Sequence, residues 1–439
     1  MNILVITSDS TFPSKTNPTA GIFFANLLRR LNALAGRLVV VTPVAYVPKP
    51  LERLPRFRSQ LLAEYHDRWN GIDVFRPRYL SARAKKRLSL QSRSYCWSIG
   101  NLCHALNRRD RYDLVLAQGF GPPTHAAQWF AKQIGKRSVA WAIGSDIHRL
   151  SHVSPDNARH FQHNVRYNDI ILTVSNAIRN MMLARAPRAR HIHTFYRGID
   201  LTDFSASADK AAIRAKLGLQ ANRQYMLTAG GVIKSKGSDE FYAAFRQLAA
   251  GRDSLSAIWV GTGTESESLL QQAKADGLAS RLIFTGRVPR PTVLEYMQAA
   301  DVMAFASHGE GLPNVVMEAL AAGLPVVATK VGGTAEIVAD GLTGLIVPPQ
   351  DETALTDAVA RQLDDPHQAR QMAEQGRKLI TQHFDVDRNA AVLMDVLRHI
   401  AAGGSAEQSI PSCAGVEPGC LPIDAMSAES TTVAATPRS

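Results

Sequence analysis

Four cysteines occur in 439 residues, Cys96, Cys103, Cys413 and Cys420, and none forms a Cys-x-x-Cys pair. A cysteine-built metal framework is therefore excluded, and an intracellular chain gives no reason to expect disulfides. Cys96 and Cys103 stand seven apart and read as small packing residues on one helix face. No stretch approaches the ~18 consecutive apolar residues of a membrane-spanning helix. The N-terminus, Met1-Asn2-Ile3-Leu4-Val5-Ile6-Thr7-Ser8-Asp9, has no basic leader, and Asp9 ends its apolar run early. It is expected to be a first β-strand and not a signal peptide, which puts the protein in the cytoplasm. Gly-x-Gly-x-x-Gly is missing after that strand, which argues against a dinucleotide oxidoreductase. No RNA- or DNA-binding motif accompanies the positive charge, so nucleic acid is not an expected partner.

Hydrophobic residues make up 45% and charged residues 20%, ordinary for a globular protein. At roughly 100–200 residues per domain the length suggests two or three domains. The net charge of +12 is unevenly spread. Arg53, Arg56, Arg58, Arg68, Arg76, Arg78, Arg83, Lys85, Lys86, Arg87 and Arg93 face only Glu64, Asp67 and Asp73 across the same segment. One reading is a solvated face. The other is a surface for anionic lipid headgroups, helped by the interleaved Phe57, Tyr65, Trp69 and Phe75, which would make the protein peripheral on the inner face of the membrane.

Short apolar runs alternate with amphipathic stretches along most of the chain. Ile3–Thr7 reads as a buried strand, followed by a polar turn (8–20), a helix over Ile22–Leu34 and a strand over Leu38–Thr42. The order repeats at Leu114–Ala117, Thr124–Ile134 and Ser138–Ala142, with a further run at Ile170–Val174. A second series of strands is expected at Tyr225–Ala229, Ser256–Val260, Leu282–Thr285, Val302–Ala306, Pro325–Ala328 and Gly344–Val347. Such alternation predicts parallel sheets with helices on both faces. The fold class expected is α/β, two Rossmann-like domains with a cleft between them. The first spans 1–200 and would bind the acceptor; the second spans 201–385 and would bind the donor. A helix over 386–402 would pack back toward the first domain. The tail 403–439, rich in Ser, Ala, Thr, Pro and Gly, cannot bury enough surface to offset its ordering entropy and is expected to be disordered.

The segment from Ser307 to Val327 carries the most chemistry. A strand ends at Ala306, a Gly-flanked loop holds Glu310, Pro313 suits an early helical position, and Gly323 ends the helix. Free amides at Gly311, Leu312, Asn314 and Val315 would form an anion site at the helix N-terminus. Gly311 would let backbone approach a ligand closely. Glu310 would lie at the carboxyl end of a strand, where open α/β sheets bind ligands. Glu318 follows one to two turns into the helix. A nucleotide sugar fits this layout, with phosphate at the amides, sugar hydroxyls at Glu310 and ribose hydroxyls at Glu318. The plainer alternative is a first-turn acid favoured by the helix dipole and an exposed helical glutamate.

The frame Glu310-Gly-x-Pro-Asn-x-x-x-Glu318-Ala-x-Ala-x-Gly-x-Pro-Val-Val resembles the donor-site motif of the retaining family-4 glycosyltransferases, which have the GT-B architecture. Phe12-Pro13 with Gly21-Ile22-Phe23 resembles that family's first loop. Gly144-Ser145-Asp146, Thr173-Val174-Ser175 with Gly198-Ile199-Asp200, Lys236-Gly237, Gly261-Thr262-Gly263, Phe284-Thr285-Gly286 and Gly332-Gly333-Thr334-Ala335-Glu336 fall in its order. Only the tail after about residue 402 is uncovered.

The resemblance implies roles. Gly21 would lend its amide to the diphosphate, and Gly230, Gly231 and Gly261 would belong to the donor site. Lys236 would neutralise the leaving phosphate, Glu310 would orient the sugar, and Glu318 the ribose. Backbone near Arg287 and Val288 would hold the base, and Asp146 would lie near the reacting centre. The implied reaction is front-face transfer in which the leaving phosphate takes the acceptor proton. Clamping by amides and lysine makes a metal or other cofactor unnecessary. The acceptor implied is a lipid-linked or other glycan of polysaccharide assembly. Two positions depart from the family: Gly231 stands where an arginine is common, with Lys234 or Arg287 as cations that could stand in, and Ile143 replaces a common histidine; His148 nearby reads as a surface residue. Competing readings are a sugar-nucleotide epimerase of similar fold and a silent relative that binds nucleotide sugar without turnover.

Overall fold

The computed structural model describes residues 1–54, 57–81, 87–144, 146–147, 154–204 and 209–405. Expectations for Arg56, Arg83, Lys85, Lys86, Ser145, His148, Cys413, Cys420 and the tail beyond 405 lie outside these residues. The chain forms two compact units, Met1–Arg197 with the helix Val386–Ala401, and Gly198–Asp385.

The first unit is built on an eight-stranded sheet. Its spatial order is Ile192–Thr194, Ile170–Thr173, Arg137–Ala142, Leu114–Gln118, Asn2–Ile6, Arg37–Val41, Ile72–Phe75 and His66–Trp69. All neighbours are parallel except the last pair. The central strands are uninterrupted apolar runs because helices cover both faces; Ile3, Leu4, Val5 and Ile6 are fully buried. The helix Ile22–Leu34 falls where the sequence places it, with Phe24, Leu27, Leu28 and Leu31 inward. The helix Val386–Ala401 packs on it, and Asp387 accepts two hydrogen bonds from Arg30 at 2.8 and 3.0 Å. Arg137 donates to the carbonyls of Gly403 and Gly404 at 3.0 and 2.9 Å.

The basic segment is more structured than its composition suggests. His66–Trp69 and Ile72–Phe75 form an edge hairpin turning on Asn70 and Gly71, both left-handed (φ 45° and 82°). Arg76 leaves the surface: it is 2% exposed and donates to Pro13 O at 2.9 Å. Trp69 packs edge-on against Phe12, and Phe75 stacks on His66. Of the interleaved aromatics Tyr65 does face outward, and so do Leu80, Leu90 and Trp97, the last 79% exposed. Leu80 N donates to Ser94 Oγ at 2.8 Å, which sets Leu80 beside the helix Leu88–Asp110 that carries Leu90, Arg93 and Trp97.

The second unit has a six-stranded, wholly parallel sheet. Its order is Leu282–Gly286, Leu255–Val260, Gln224–Ala229, Val302–Phe305, Val326–Thr329 and Leu345–Val347. Two helices not anticipated from sequence, Glu352–Asp364 and Pro366–His383, follow. Each opens on an aspartate whose side chain accepts from a first-turn amide (Asp351 from Ala354, Asp365 from Gln368), the expected N-cap chemistry.

Candidate functional site

In the second unit the loops leaving the carboxyl ends of the strands gather the predicted residues. The turn Lys234–Lys236 follows the strand Gln224–Ala229, and Gly237 is left-handed (φ 73°) before the helix Ser238–Ala249. A Cβ on Gly237 would lie 2.1 Å from Ala306 O, so only glycine lets this turn lie against the end of the strand Val302–Phe305. His308 N donates to Ser235 O at 3.0 Å across the same junction.

That junction brings Lys236 and Glu310 together. Lys236 Nζ is 2.5 Å from Glu310 Oε1, and Ser307 Oγ donates to the same oxygen at 2.8 Å. Lys236 is about one third exposed and Glu310 15% exposed, and a pair that still reaches solvent stabilises a fold by only about 0–1 kcal/mol. Its effect is positional: a cation and a carboxylate are fixed side by side. Glu310 O and Gly311 O lie against the Gly332-Gly333 turn, where Gly333 N donates to Gly311 O at 2.8 Å.

The helix Asn314–Ala321 starts one residue later than expected. Pro313 is its N-cap, with extended backbone (ψ 105°), and its carbonyl accepts from Val316 and Met317. Asn314 and Val315 occupy the first turn, with Leu312 just before the cap and Gly311 one residue further out. Gly323 ends the helix in the left-handed region (φ 72°).

Glu318 is not the exposed helical glutamate of the plainer reading. Its side chain is 7% exposed and meets Arg290, Nε to Oε1 at 3.0 Å. Arg290 also donates to Asp200 O at 3.2 Å and lies over the Phe204 ring. Removing one partner of a buried pair leaves an uncompensated charge, which costs about 3–5 kcal/mol. Arg290 therefore holds the Glu318 carboxylate in a defined place. It opens the helix Arg290–Ala299, just after Arg287 and Val288. Arg287 is exposed and Val288 half-buried.

The Gly230-Gly231 turn packs on Gly261-Thr262-Gly263: Gly230 N donates to Val260 O at 2.9 Å and Val232 N to Thr262 O at 3.1 Å. A Cβ on Gly231 would meet only Ile233 side-chain atoms, at 3.7 and 3.8 Å, so no backbone atom blocks the start of a side chain at the position where the sequence comparison expects arginine. Of the two stand-ins, Lys234 is engaged by Asp239 at 3.6 Å, whereas Arg287 meets no carboxylate among the described residues.

Gly21 and Asp146 belong to the first unit. Gly21 is left-handed (φ 55°) at the N-cap of the helix Ile22–Leu34. A Cβ there would lie 1.9 Å from Thr11 O, so the first loop closes tightly only with glycine. Thr11 is held by Thr7 and Ser8, and Thr7 by Gln118 and Tyr95, a neutral network at the ends of two strands. Asp146 accepts from Phe120 N (2.6 Å), Ile147 N (2.9 Å) and Ile143 N (3.2 Å). Burial raises its pKa; these amides pull against that rise without cancelling it. Both carboxylate oxygens are thus committed to backbone. Asp146 fixes the loops that follow Leu114–Gln118 and Arg137–Ala142.

Sequence reasoning passed over four residues that the site loops use or adjoin: Arg290, His308, Glu240 and Arg197. Arg290 and His308 lie within the recognised segments, but only their approach to Glu318 and Glu240 singles them out. Arg197 lies over the Phe23 ring beside the first loop, its pKa lowered to about 10 by burial. Among the described residues no group of three or more His, Cys, Asp or Glu side chains is arranged to hold a metal, and no helix is long and apolar enough to cross a membrane.

Two parallel-sheet units whose second carries a Glu-x7-Glu helix define a class, and comparison with known proteins agrees. Residues 209–379 match the family described as glycosyl transferases group 1. The chain is 27% identical over 396 residues to a Bacillus subtilis (strain 168) protein assigned to teichuronic acid biosynthesis as glycosyltransferase TuaC, covering 90% of this chain and 97% of that one. It is 27% identical to N-acetyl-alpha-D-glucosaminyl L-malate synthase of Bacillus anthracis, over 66% of this chain and 77% of the relative. Among solved structures, Anabaena Alr3699/HepE in complex with UDP superposes with a TM-score of 0.70 at 21% identity, covering 91% of this chain and all of that one. The chain has the GT-B fold and is a glycosyltransferase.

Proposed function

We propose that the second unit binds a nucleoside-diphosphate sugar and that the protein transfers the sugar, with retention, to a lipid-linked glycan in cell-surface polysaccharide assembly. The observation that carries this is the Lys236–Glu310 contact beside the N-terminus of the helix that bears Glu318. A diphosphate accepts from first-turn amides and gains from the helix dipole. Lys236 stabilises the charge that grows on the leaving phosphate, Glu310 takes sugar hydroxyls, and Glu318 takes the ribose. Backbone at Arg287 and Val288 borders the base. Gly21 contributes an amide to the diphosphate, and Asp146 keeps the acceptor-side loops in place. The acceptor hydroxyl forms the new bond to the anomeric carbon on the face that the phosphate leaves, and the phosphate oxygen takes its proton. No metal enters this scheme. UDP and UDP-glucose, bound by Anabaena Alr3699/HepE, make uracil the first base to try.

The first unit is proposed to rest on an anionic bilayer, through Leu80, Leu90 and Trp97 with Arg87 and Arg93 around them. An exposed tryptophan among arginines suits the headgroup boundary. Phosphatidylglycerol vesicles should pellet the wild type and release the Leu90→Ser, Trp97→Ser variant; equal pelleting of both would remove the membrane from the proposal.

The test of transfer is incubation with UDP-sugars and a polyprenyl-diphosphate-linked glycan. Mass spectrometry should show one added sugar, and NMR should show the donor's anomeric configuration kept. Formation of an altered sugar nucleotide without acceptor would favour the epimerase.

A further inference from the structure

Close to the Lys236–Glu310 contact lies a second polar pair, His308 with Glu240. His308 Nε2 donates to Glu240 Oε1 at 2.7 Å. His308 stands two residues before Glu310, and Glu240 is in the first turn of the helix that begins after Gly237. Glu240 is 9% exposed, and its other oxygen, Oε2, is buried and meets no hydrogen-bond donor among the described residues. A buried carboxylate with one oxygen unmatched is a poor way to gain stability, because its desolvation is only partly offset. Its geometry gives it another use. His308 is clipped at two points, by its backbone amide to Ser235 O and by its ring to Glu240. Both partners belong to the turn and helix that carry Lys236. The Glu310 loop is thereby fixed to the Lys236 turn along an edge, so that Glu310 meets Lys236 without either side chain having to search.

We infer that His308 and Glu240 are positioning residues that set the Glu310 loop for the sugar half of the donor. This rests on the donor-site reading above. Neither residue need touch the nucleotide, whose diphosphate and ribose fall to the amides and Glu318. The pair should therefore affect the sugar's placement and leave the nucleoside diphosphate's binding alone.

The test compares wild type, His308→Gln, Glu240→Gln and the double variant in the full chain. It measures calorimetric affinity for UDP, affinity for the UDP-sugar that the wild type uses, turnover and thermal midpoint. Each single variant should lose at least about tenfold in kcat, because small misplacement of a reacting group costs that much or more. UDP affinity should stay within about twofold, and the extra affinity conferred by the sugar should shrink. The double variant should be no slower than the worse single one, because the two act as a unit. Glu240→Gln keeps the shape and an acceptor oxygen, so it supplies the comparison if His308→Gln does not fold. Wild-type kcat in both single variants would overturn the inference. So would a loss of UDP affinity in step with kcat and thermal midpoint, which marks a merely structural pair. A wild type that neither binds UDP-sugars nor transfers would overturn the donor-site reading and this inference with it.

Discussion

The two units arrange their strand-end loops by different means. In the second, ionisable side chains meet each other: Lys236 with Glu310, Arg290 with Glu318, His308 with Glu240. In the first, the loops are held by backbone amides on Asp146 and by the neutral network of Thr7, Thr11, Gln118 and Tyr95. The difference separates two tasks. On the proposed reading, a donor with a diphosphate needs a field already in place, and paired side chains in the ligand-free protein keep that field from being an unbalanced one. The first unit needs a rigid frame, and amide-to-carboxylate bonds give it without presenting free charge.

The contrast breaks most sharply at Lys236. Lys236→Ala should lower kcat about 10²- to 10³-fold, the scale of removing one stabiliser of transition-state charge, with UDP affinity reduced far less; steady-state kinetics read both. Asp146→Asn should act differently. Its amide group would face donors in place of an acceptor, at a cost of about 1–3 kcal/mol, visible as a lower denaturation midpoint with UDP affinity unchanged. Loss of UDP binding in this variant would erase the distinction between the units.

A third effect concerns pH. His125 meets His160 and His163 between helices of the first unit, its ring centroid 5.4 and 4.7 Å from theirs and the rings tilted. Burial first, and neighbouring histidines after it, lower His125 to about 4; burial does the same for His160. The unfolded chain takes these protons near the ordinary value of about 6.5, whereas the folded unit resists them until about 4. Stability should thus be lost as pH falls from about 6.5 and stop changing on this account below about 4. Thermal midpoints across that window should fall less steeply in His125→Gln, His160→Gln than in the wild type. The smallest expected effect is a gain: Gly231→Arg should raise kcat severalfold, since a Cβ there meets no backbone and the side chain would add a cation beside the turn. Unchanged kcat there would mean that Arg287 already serves.

Legibility in the sequence followed the same division. Alternating apolar runs are fixed by the demands of a covered parallel sheet, so Ile3–Ile6, Leu227 or Val302–Phe305 could be placed from pattern alone. Glycines that must sit left-handed, such as Gly21 and Gly237, mark their loops wherever they occur. The edge hairpin at 66–75 was hidden because its charged, half-exposed strands show no apolar run, although Asn70-Gly71 carried the turn signal. Arg76 was read as surface because a buried arginine is visible only through the partners that satisfy it. Arg290 and His308 escaped for the same reason: their significance lies in contacts across 28 and 68 residues of chain.

The most direct test of the donor site is thermal stabilisation by a panel of nucleoside diphosphates and nucleotide sugars, with wild type and Glu318→Ala measured together. The account predicts that one nucleotide series raises the wild-type midpoint and that the rise disappears in Glu318→Ala. Equal stabilisation of both proteins would place the nucleotide elsewhere, and stabilisation of neither by any member of the panel would contradict the donor site itself.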